Sequence, residues 1–483
     1  MKYDVIIGCE VHVQLSTKSK AFCTCRNVFG GEPNSRVCPV CLGLPGSLPV
    51  PNKEHIRSAI KAGRALGCSI APLTKFDRKN YMYPDLPKAY QISQYDMPIC
   101  NNGMLTVFTQ EGTRDIRILR IHMEEDTGKN IHADDGSHES YVDYNRSGTP
   151  LLEIVSEPDM RSPAEAAAFV MSIHEIMQYL EISDCNMEEG SLRCDANINL
   201  WVYEEEKKYA TPIVEIKNMN SFKAIQAALE YEVQRQADEW QNHRLTREAA
   251  GKSTRGWNEA SGKTILQRTK EEEADYRYFP EPDLKPLSIS ADLIQSIEKT
   301  IGELPKEKRE RFMHQLGLSE TDTIVLTTEK AFADYFEQIL THYPNPKKTA
   351  NWLLGEVKKY LNAGNISISD FRTTPAHIAE LLLLQESGKI SGKMAKDVFI
   401  KMAATGKAAQ EIVSAEGLSQ ISDRGELEKI VIEVIAANPG SADDYRNGKL
   451  QAIKFLMGQV MKASKGKANP QEAEKLLSEK LSS

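Results

Sequence analysis

Ile116-Arg117-Ile118-Leu119-Arg120-Ile121-His122-Met123-Glu124-Glu125-Asp126 is an alternating stretch that ends in three consecutive carboxylates. Alternation of apolar and polar side chains marks a strand with one face on a core. A core strand has no use for three acids at its end, so the run reads as a cation or phosphate site on a sheet. Further out, Gly8-Cys9-Glu10-Val11-His12-Val13-Gln14-Leu15 alternates in the same way and puts Glu10, His12 and Gln14 on one face. Two separate strands thus carry carboxylate and imidazole ligands.

Other segments extend the pattern. Leu151-Leu152-Glu153-Ile154-Val155 sets Glu153 in an apolar run, where an unpaired carboxylate would be costly, so Glu153 must have a partner. From Glu188 to Leu200 the alternation places Arg193, Asp195, Asn197 and Asn199 opposite Leu192, Cys194, Ala196, Ile198 and Leu200. Glu215 and Lys217 repeat it, with Val214 and Ile216 behind them, and Asn220 or Ser221 caps a following helix whose first amides can meet an anion. Phe76 to Asp85 and Asp275 to Asp283 are loop-like, dense in cations and aromatics, and suited to nucleotide or phosphate contacts. Ser261-Gly262-Lys263-Thr264 imitates the end of a phosphate loop, but Trp257 stands where its first glycine belongs. Neither a glycine-rich serine cluster nor a nucleophile-elbow cysteine is present, which argues against hydrolytic ammonia release on this chain.

Four of the nine cysteines form a pattern: Cys23-Thr24-Cys25 and Cys38-Pro39-Val40-Cys41, separated by a Gly- and Pro-rich spacer. That spacing predicts a closed, structural four-cysteine zinc knuckle over 23–41. Cys68, Cys100, Cys185 and Cys194 read as buried apolar thiols. A formal charge of −8 excludes non-specific coating of nucleic acid but leaves room for a regional basic face. No apolar run is long enough to span a bilayer and no signal peptide opens the chain, so a cytoplasmic location is expected.

At 483 residues the chain is too long for one core. Residues 1–292 read α+β, with helices near Asn52 to Leu66, Ser162 to Leu180 and Ser221 to Trp240. Residues 293–405 read all-helical, including Pro305 to Leu316, Ala350 to Leu361, Pro375 to Gln385 and Ser391 to Ala404. Residues 406–483 read as a small helical tail domain with patterns over Gln410 to Ala415, Glu426 to Asn438 and Ser441 to Ser464. From Ser441 onward the tail sets eight Lys and Arg, among them Lys454, Lys462, Lys465 and Lys467, against five acids. A solvated helix face and an RNA contact explain that bias equally well.

Gly8 to Leu15, Phe76 to Gln94, His122 to Gly128, Gly148 to Asp159, Met187 to Asn199, Glu215 to Phe222, Tyr276 to Asp283 and Gly448 to Pro470, in this order, resemble the B-subunit family of bacterial aspartyl/glutamyl-tRNA amidotransferases. The resemblance runs through nearly the whole chain. It implies an antiparallel-sheet cradle similar to the catalytic fold of glutamine synthetase, followed by a helical domain and a tRNA-contacting tail. It also implies a glutamine-dependent ligase that works as a heterotrimer with an amidase and a third, small protein. On the same resemblance, ATP is expected to phosphorylate the side-chain carboxylate of Glu-tRNA(Gln) or Asp-tRNA(Asn), and ammonia channelled from the amidase to displace the phosphate.

On that resemblance His12, Glu125 and Glu153 are expected to hold Mg²⁺, with Glu10, Glu124 and Arg277 serving the nucleotide. Lys79, Arg193, Asp195 and Lys217 would handle phosphate or ammonia. Alternation places Glu124 and Glu125 on opposite faces, so one role for both would need the strand to end or bulge there. Cys9 departs from the family's usual aliphatic residue, and the zinc quartet is a feature of only part of the family.

Overall fold

The computed structural model describes residues 1–132, 139–270, 276–418, 424–464 and 467–482. Asp275 and Lys465, both named above, lie outside the described residues. The chain forms two compact units, Met1–Pro305 and Lys306–Ser483.

The first unit is organised by one ten-stranded sheet among the described residues. Its strands are β1 (Lys2–Gln14), β2 (Ser69–Ile70), β3 (Cys100–Thr109), β4 (Gly112–Glu125), β5 (Pro150–Ser156), β6 (Leu192–Glu204), β7 (Lys207–Ala210), β8 (Ile213–Lys217), β9 (Lys252–Asn258) and β10 (Lys263–Lys270). They lie in the order β10-β9-β8-β6-β1-β5-β4-β3-β2, with β7 on β6. Every pairing is antiparallel except β8 with β9. The α+β expectation is met.

Alternation decides which face is which. Ile7, Cys9, Val11 and Val13 of β1 are buried in a core shared with Ala196 and Ile198 of β6 and Leu152 and Ile154 of β5. Three helices pack apolar residues into this core: α1 (Lys53–Ala65), α2 (Pro163–Tyr179) and α3 (Phe222–His243). Each begins where the sequence offers a capping oxygen, at Asn52, Ser162 and Ser221, whose side chains accept from Glu54 N, Glu165 N and Ala224 N. The opposite face of the sheet carries the polar residues. A three-stranded ribbon of Asp77–Asn80, Tyr90–Ser93 and Phe279–Pro280 belongs to the same unit.

One strand departs from simple alternation. In β4, Ile116 and Ile118 are buried, but so are Ile121 and Met123, which a strict period of two would place on the other face. The register against β5 shifts by one residue, from Val155↔Arg120 to Ser156↔Ile118. Leu119 is the extra residue of a bulge. Beside it Asn102 of β3 takes a left-handed conformation, φ 54°. The bulge turns Ile121 and Met123 into the core and releases His122 and Glu124 to the polar face.

In the second unit the described residues are helical or irregular, as expected. Thr374 caps the helix Pro375–Glu386 and accepts from His377 N, with Pro375 in the first turn. The pattern over Ala350 to Leu361 is realised as Pro346–Trp352 and Lys358–Gly364 around a π turn at Leu353–Val357. The pattern read over Ser441 to Ser464 is two helices, Pro439–Arg446 and Ala452–Ala463. Between them Gly448 has φ 90°, which a continuing helix cannot accommodate. Phe312, Phe336, Leu353, Ile378 and Phe399 centre one core, and Leu427, Val431, Leu456, Val460 and Leu477 a second. Among the described residues, no helix is long and apolar enough to cross a membrane.

Candidate active site

Strand register builds the site. His12 stands opposite Arg193 on one side and Glu153 on the other, and Glu153 stands opposite His122. Four side chains from four neighbouring strands therefore form one row, Arg193, His12, Glu153 and His122. Glu124, two residues beyond His122, joins them from the same face. His12 Nε2 lies 3.2 Å from Glu153 Oε2, and His122 Nε2 lies 3.2 Å from both Glu153 Oε2 and Glu124 Oε1. Ligand atoms of His12, Glu124 and Glu153 all fall within 4.8 Å of one another. Ser93 and Gln91 donate to Glu124 at 2.7 and 3.1 Å.

The electrostatics follow from burial and charge together. Burial pushes against ionisation of Glu153, yet His122 and His12 hold its carboxyl well below the usual range. Burial opposes protonation of His122, but Glu153 and Glu124 raise it to about 9. Burial and Glu153 push Glu124 up, while Lys79 and His122 more than offset them and keep it low. His122 Nδ1 and Arg193 Nε are buried with no hydrogen-bond partner among the described residues. The cluster is a charged, preorganised pair of carboxylates with two imidazoles.

Around it lies a cleft of about 360 Å³, lined by His12, Glu124, Lys79, Arg193, Asp195 and Lys217 among others. Lys79 Nζ sits 5.1 Å from the Tyr276 ring centre, and its ammonium is kept charged against burial by Glu124. Arg193 is fixed by Asp126 at 3.1 Å, and Asp126 also accepts from Gln14 Nε2 at 2.7 Å and Thr127 N at 2.9 Å. Lys217 pairs with Asp195 and lies 3.4 Å from Glu215. Glu10 accepts from Asn197 at 3.1 Å; burial first, then Glu153, raises its carboxyl. Met219 and Asn220, just before α3, complete one wall.

A second cluster stands apart in character. Cys23, Cys25, Cys38 and Cys41 bring their sulfurs within 4.8 Å of one another, and none is in a disulfide. Cys38 caps the short helix Pro39–Leu42, and Cys38 N donates to Cys41 Sγ at 3.0 Å. The Cys23 hydrogen bond lowers the Cys41 thiol to about 5 against burial, with help from the Lys20 charge, while burial pushes Cys25 up to about 11. Four sulfurs converging in this way could hold a metal ion.

A family model described as the GatB/GatE catalytic domain matches residues 5–295, and a second, the GatB domain, matches residues 334–481. The chain belongs to the GatB/GatE family. The B subunit of the aspartyl/glutamyl-tRNA(Asn/Gln) amidotransferase of Borreliella burgdorferi is 53% identical over 483 residues, covering all of both chains. Its counterpart in Moorella thermoacetica is 52% identical over 482 residues, again covering all of both. That of Treponema denticola is 50% identical over 487 residues, covering all of this chain and 98% of its own.

For this GatB/GatE chain, most of the residues singled out in the sequence converge, and two do not. Glu125, expected as a metal ligand, points to the other side of β4, where it pairs with Lys88 and accepts from Ile92 N at 3.0 Å. The parity of adjacent strand residues gives the ligand position to Glu124, expected instead to serve the nucleotide. Arg277 is exposed, has φ 45° and is absent from the cleft lining. The sequence pattern gives His122 no role of its own, although it shares the period of Glu124, and it counts Asp126 among three acids of a cation or phosphate site, whereas Asp126 holds Arg193. In the tail, Arg446, Lys449 and Lys480 pair with Asp443, Asp444 and Glu428, and Lys467 donates to the Gly417 carbonyl.

Proposed function

We infer that this chain is the B subunit of an aspartyl/glutamyl-tRNA amidotransferase, a ligase that amidates the side-chain carboxylate of Glu-tRNA(Gln) or Asp-tRNA(Asn). The observation that carries this reading is the register-built row of His12, Glu153 and His122 with Glu124, facing a cleft with Lys79, Arg193 and Lys217 on its walls. Anionic reactants need such cations, and phosphoryl transfer is catalysed largely by positioning and charge neutralisation.

The substrate carboxylate attacks the γ-phosphorus of ATP, ADP leaves, and an acyl phosphate forms. Ammonia attacks its carbonyl carbon and phosphate departs. Arg193, held by Asp126, and Lys79 bind the phosphates. Asp195, which lines the cleft and pairs with Lys217, takes the proton shed by the new amide nitrogen. His12, Glu124 and Glu153 would hold Mg²⁺, whose charge offsets that of the transferring phosphoryl group; two carboxylates and one imidazole leave room for water and phosphate oxygens. Cys23, Cys25, Cys38 and Cys41 would hold a structural Zn²⁺. A partner amidase supplies ammonia, a small third protein completes a cytoplasmic heterotrimer, and residues 293–405 and 406–483 serve as the helical and tRNA-contacting parts.

The test uses the chain purified with its amidase and small partner, with Glu-tRNA(Gln), ATP and Mg²⁺. Wild type should form Gln-tRNA(Gln) only when ATP is present, and Glu153→Gln should lower kcat by about 10³-fold with tRNA binding intact. Equal amidation by wild type and variant would sink the reading.

A further inference from the structure

Lys20 is fully buried, at 0% exposure, and its ammonium donates to two backbone carbonyls, Arg36 at 2.9 Å and Tyr144 at 3.3 Å. A buried charge is costly, and an apolar chain of similar length would fill the space without that cost. The two carbonyls, with the Cys41 thiol close by, explain its presence. Arg36 lies in the spacer between the two cysteine pairs, and Tyr144 opens the turn that leads into β5.

The same two segments are clasped elsewhere. Arg36 N donates to Asn145 Oδ1 at 2.8 Å, Asn145 Nδ2 to Glu32 O at 2.7 Å, and Tyr144 N to Asn34 Oδ1 at 2.8 Å. Ala21 N reaches Gly148 O at 2.8 Å. The far side of the turn belongs to the cleft. Gly148 N donates to Asp126 O at 2.9 Å, and Asp126 N to Thr149 O at 2.8 Å. Arg146 donates to Thr127 O at 3.0 Å and Gly128 O at 2.6 Å. Asp126 in turn fixes Arg193.

We propose that Lys20 is a positioning residue that couples the cysteine cluster to the Asp126–Arg193 edge of the cleft, so that an ordered cluster sets where Arg193 meets the phosphates. This deepens the amidotransferase reading and rests on it. Coupling through a chain of contacts is shown only by non-additivity, and that decides the experiment.

In the complete complex, Lys20→Met is compared with wild type for zinc content, KM for ATP and kcat of amidation. All four thiols remain, so the variant should keep one zinc per chain. Its KM for ATP should rise about tenfold while kcat stays within about threefold, as for residues that orient a binding group. A purely structural role would lower the active fraction, and so kcat, without moving KM. Combined with Arg193→Ala, Lys20→Met should add no further rise in KM. Asn145→Ala, which opens the clasp from a second side chain, should raise KM in the same direction by a smaller factor and serves if Lys20→Met fails to fold. Unchanged KM with zinc retained, a rise that adds fully to that of Arg193→Ala, or a rise that zinc repletion abolishes would each overturn the proposal. A wild-type complex unable to amidate Glu-tRNA(Gln) with ATP overturns the amidotransferase reading and this one with it.

Discussion

The cleft cluster and the cysteine cluster both gather ligand-type side chains, by opposite means. His12, Glu124 and Glu153 come from strands far apart in the chain, and pairing register alone brings them side by side. Cys23, Cys25, Cys38 and Cys41 come from two neighbouring turns, and local geometry suffices. The first mixes oxygen and nitrogen donors in an open cleft and suits a cation that exchanges with substrate. The second, all sulfur, suits an ion that stays. A register-built site inherits the rigidity of its sheet, and a turn-built site has to be made rigid by what it binds.

The contrast is tested hardest at two adjacent acids. Glu124→Gln should lower amidation by about 10³-fold with little change in folding. Glu125→Gln should leave the turnover of folded enzyme within about threefold and instead lower stability by about 4 kcal/mol, because it breaks the buried pair with Lys88. Amidation kinetics and denaturant unfolding on both variants separate the two; matching profiles would break the distinction between the faces of β4.

A pH series sharpens it next. His55 of α1 is buried, and its Nε2 lies 2.9 Å from the carbonyl oxygen of Leu151, in the strand that carries Glu153. Burial lowers it to about 4 from an ordinary 6.5, against the pull of that carbonyl. Above pH 6.5 the residue is neutral in both folded and unfolded chains and adds no pH slope. Between 6.5 and 4 the unfolded chain takes a proton that the folded one refuses, so stability falls as pH falls, by about 3 kcal/mol in all. In His55→Leu that part of the slope should vanish in unfolding titrations of the first unit. The smallest effect is expected at the cysteines. Removing zinc from a site held at about 100 times its dissociation constant should cost about 2.7 kcal/mol of stability in the first unit, measured as a lowered unfolding midpoint restored by zinc.

What is legible in the sequence follows the same division. The cysteine spacing announces its cluster because every constraint is local. The faces of β1 and β6 are legible because alternation holds along them, and so Glu10, His12, Arg193 and Asp195 stand out, while Glu153 stands out as the one acid in the apolar run of β5. Which acid of β4 joins them is half legible: parity separates Glu124 from Glu125, but only pairing with β5 tells which face is the cleft, and the bulge at Leu119 changes parity mid-strand. His122 is hidden for that reason, and Asp126 because its role is to hold Arg193 across a gap that no local pattern records. In the second unit, the break at Gly448 is masked because apolar periodicity continues on both sides of it.

The bulge at Leu119 also sets what kinds of inherited change this chain can absorb. Leu119 is 39% exposed, so exchanging its side chain disturbs little. Losing the residue together with its bulge would restore strict alternation from Ile116 onward and still keep Ile121 and Met123 in the core and His122 and Glu124 on the cleft face, whereas one further residue with no bulge to absorb it would exchange the two sets. At this position a lineage is free to change the letter or to drop it, and bound not to add a second.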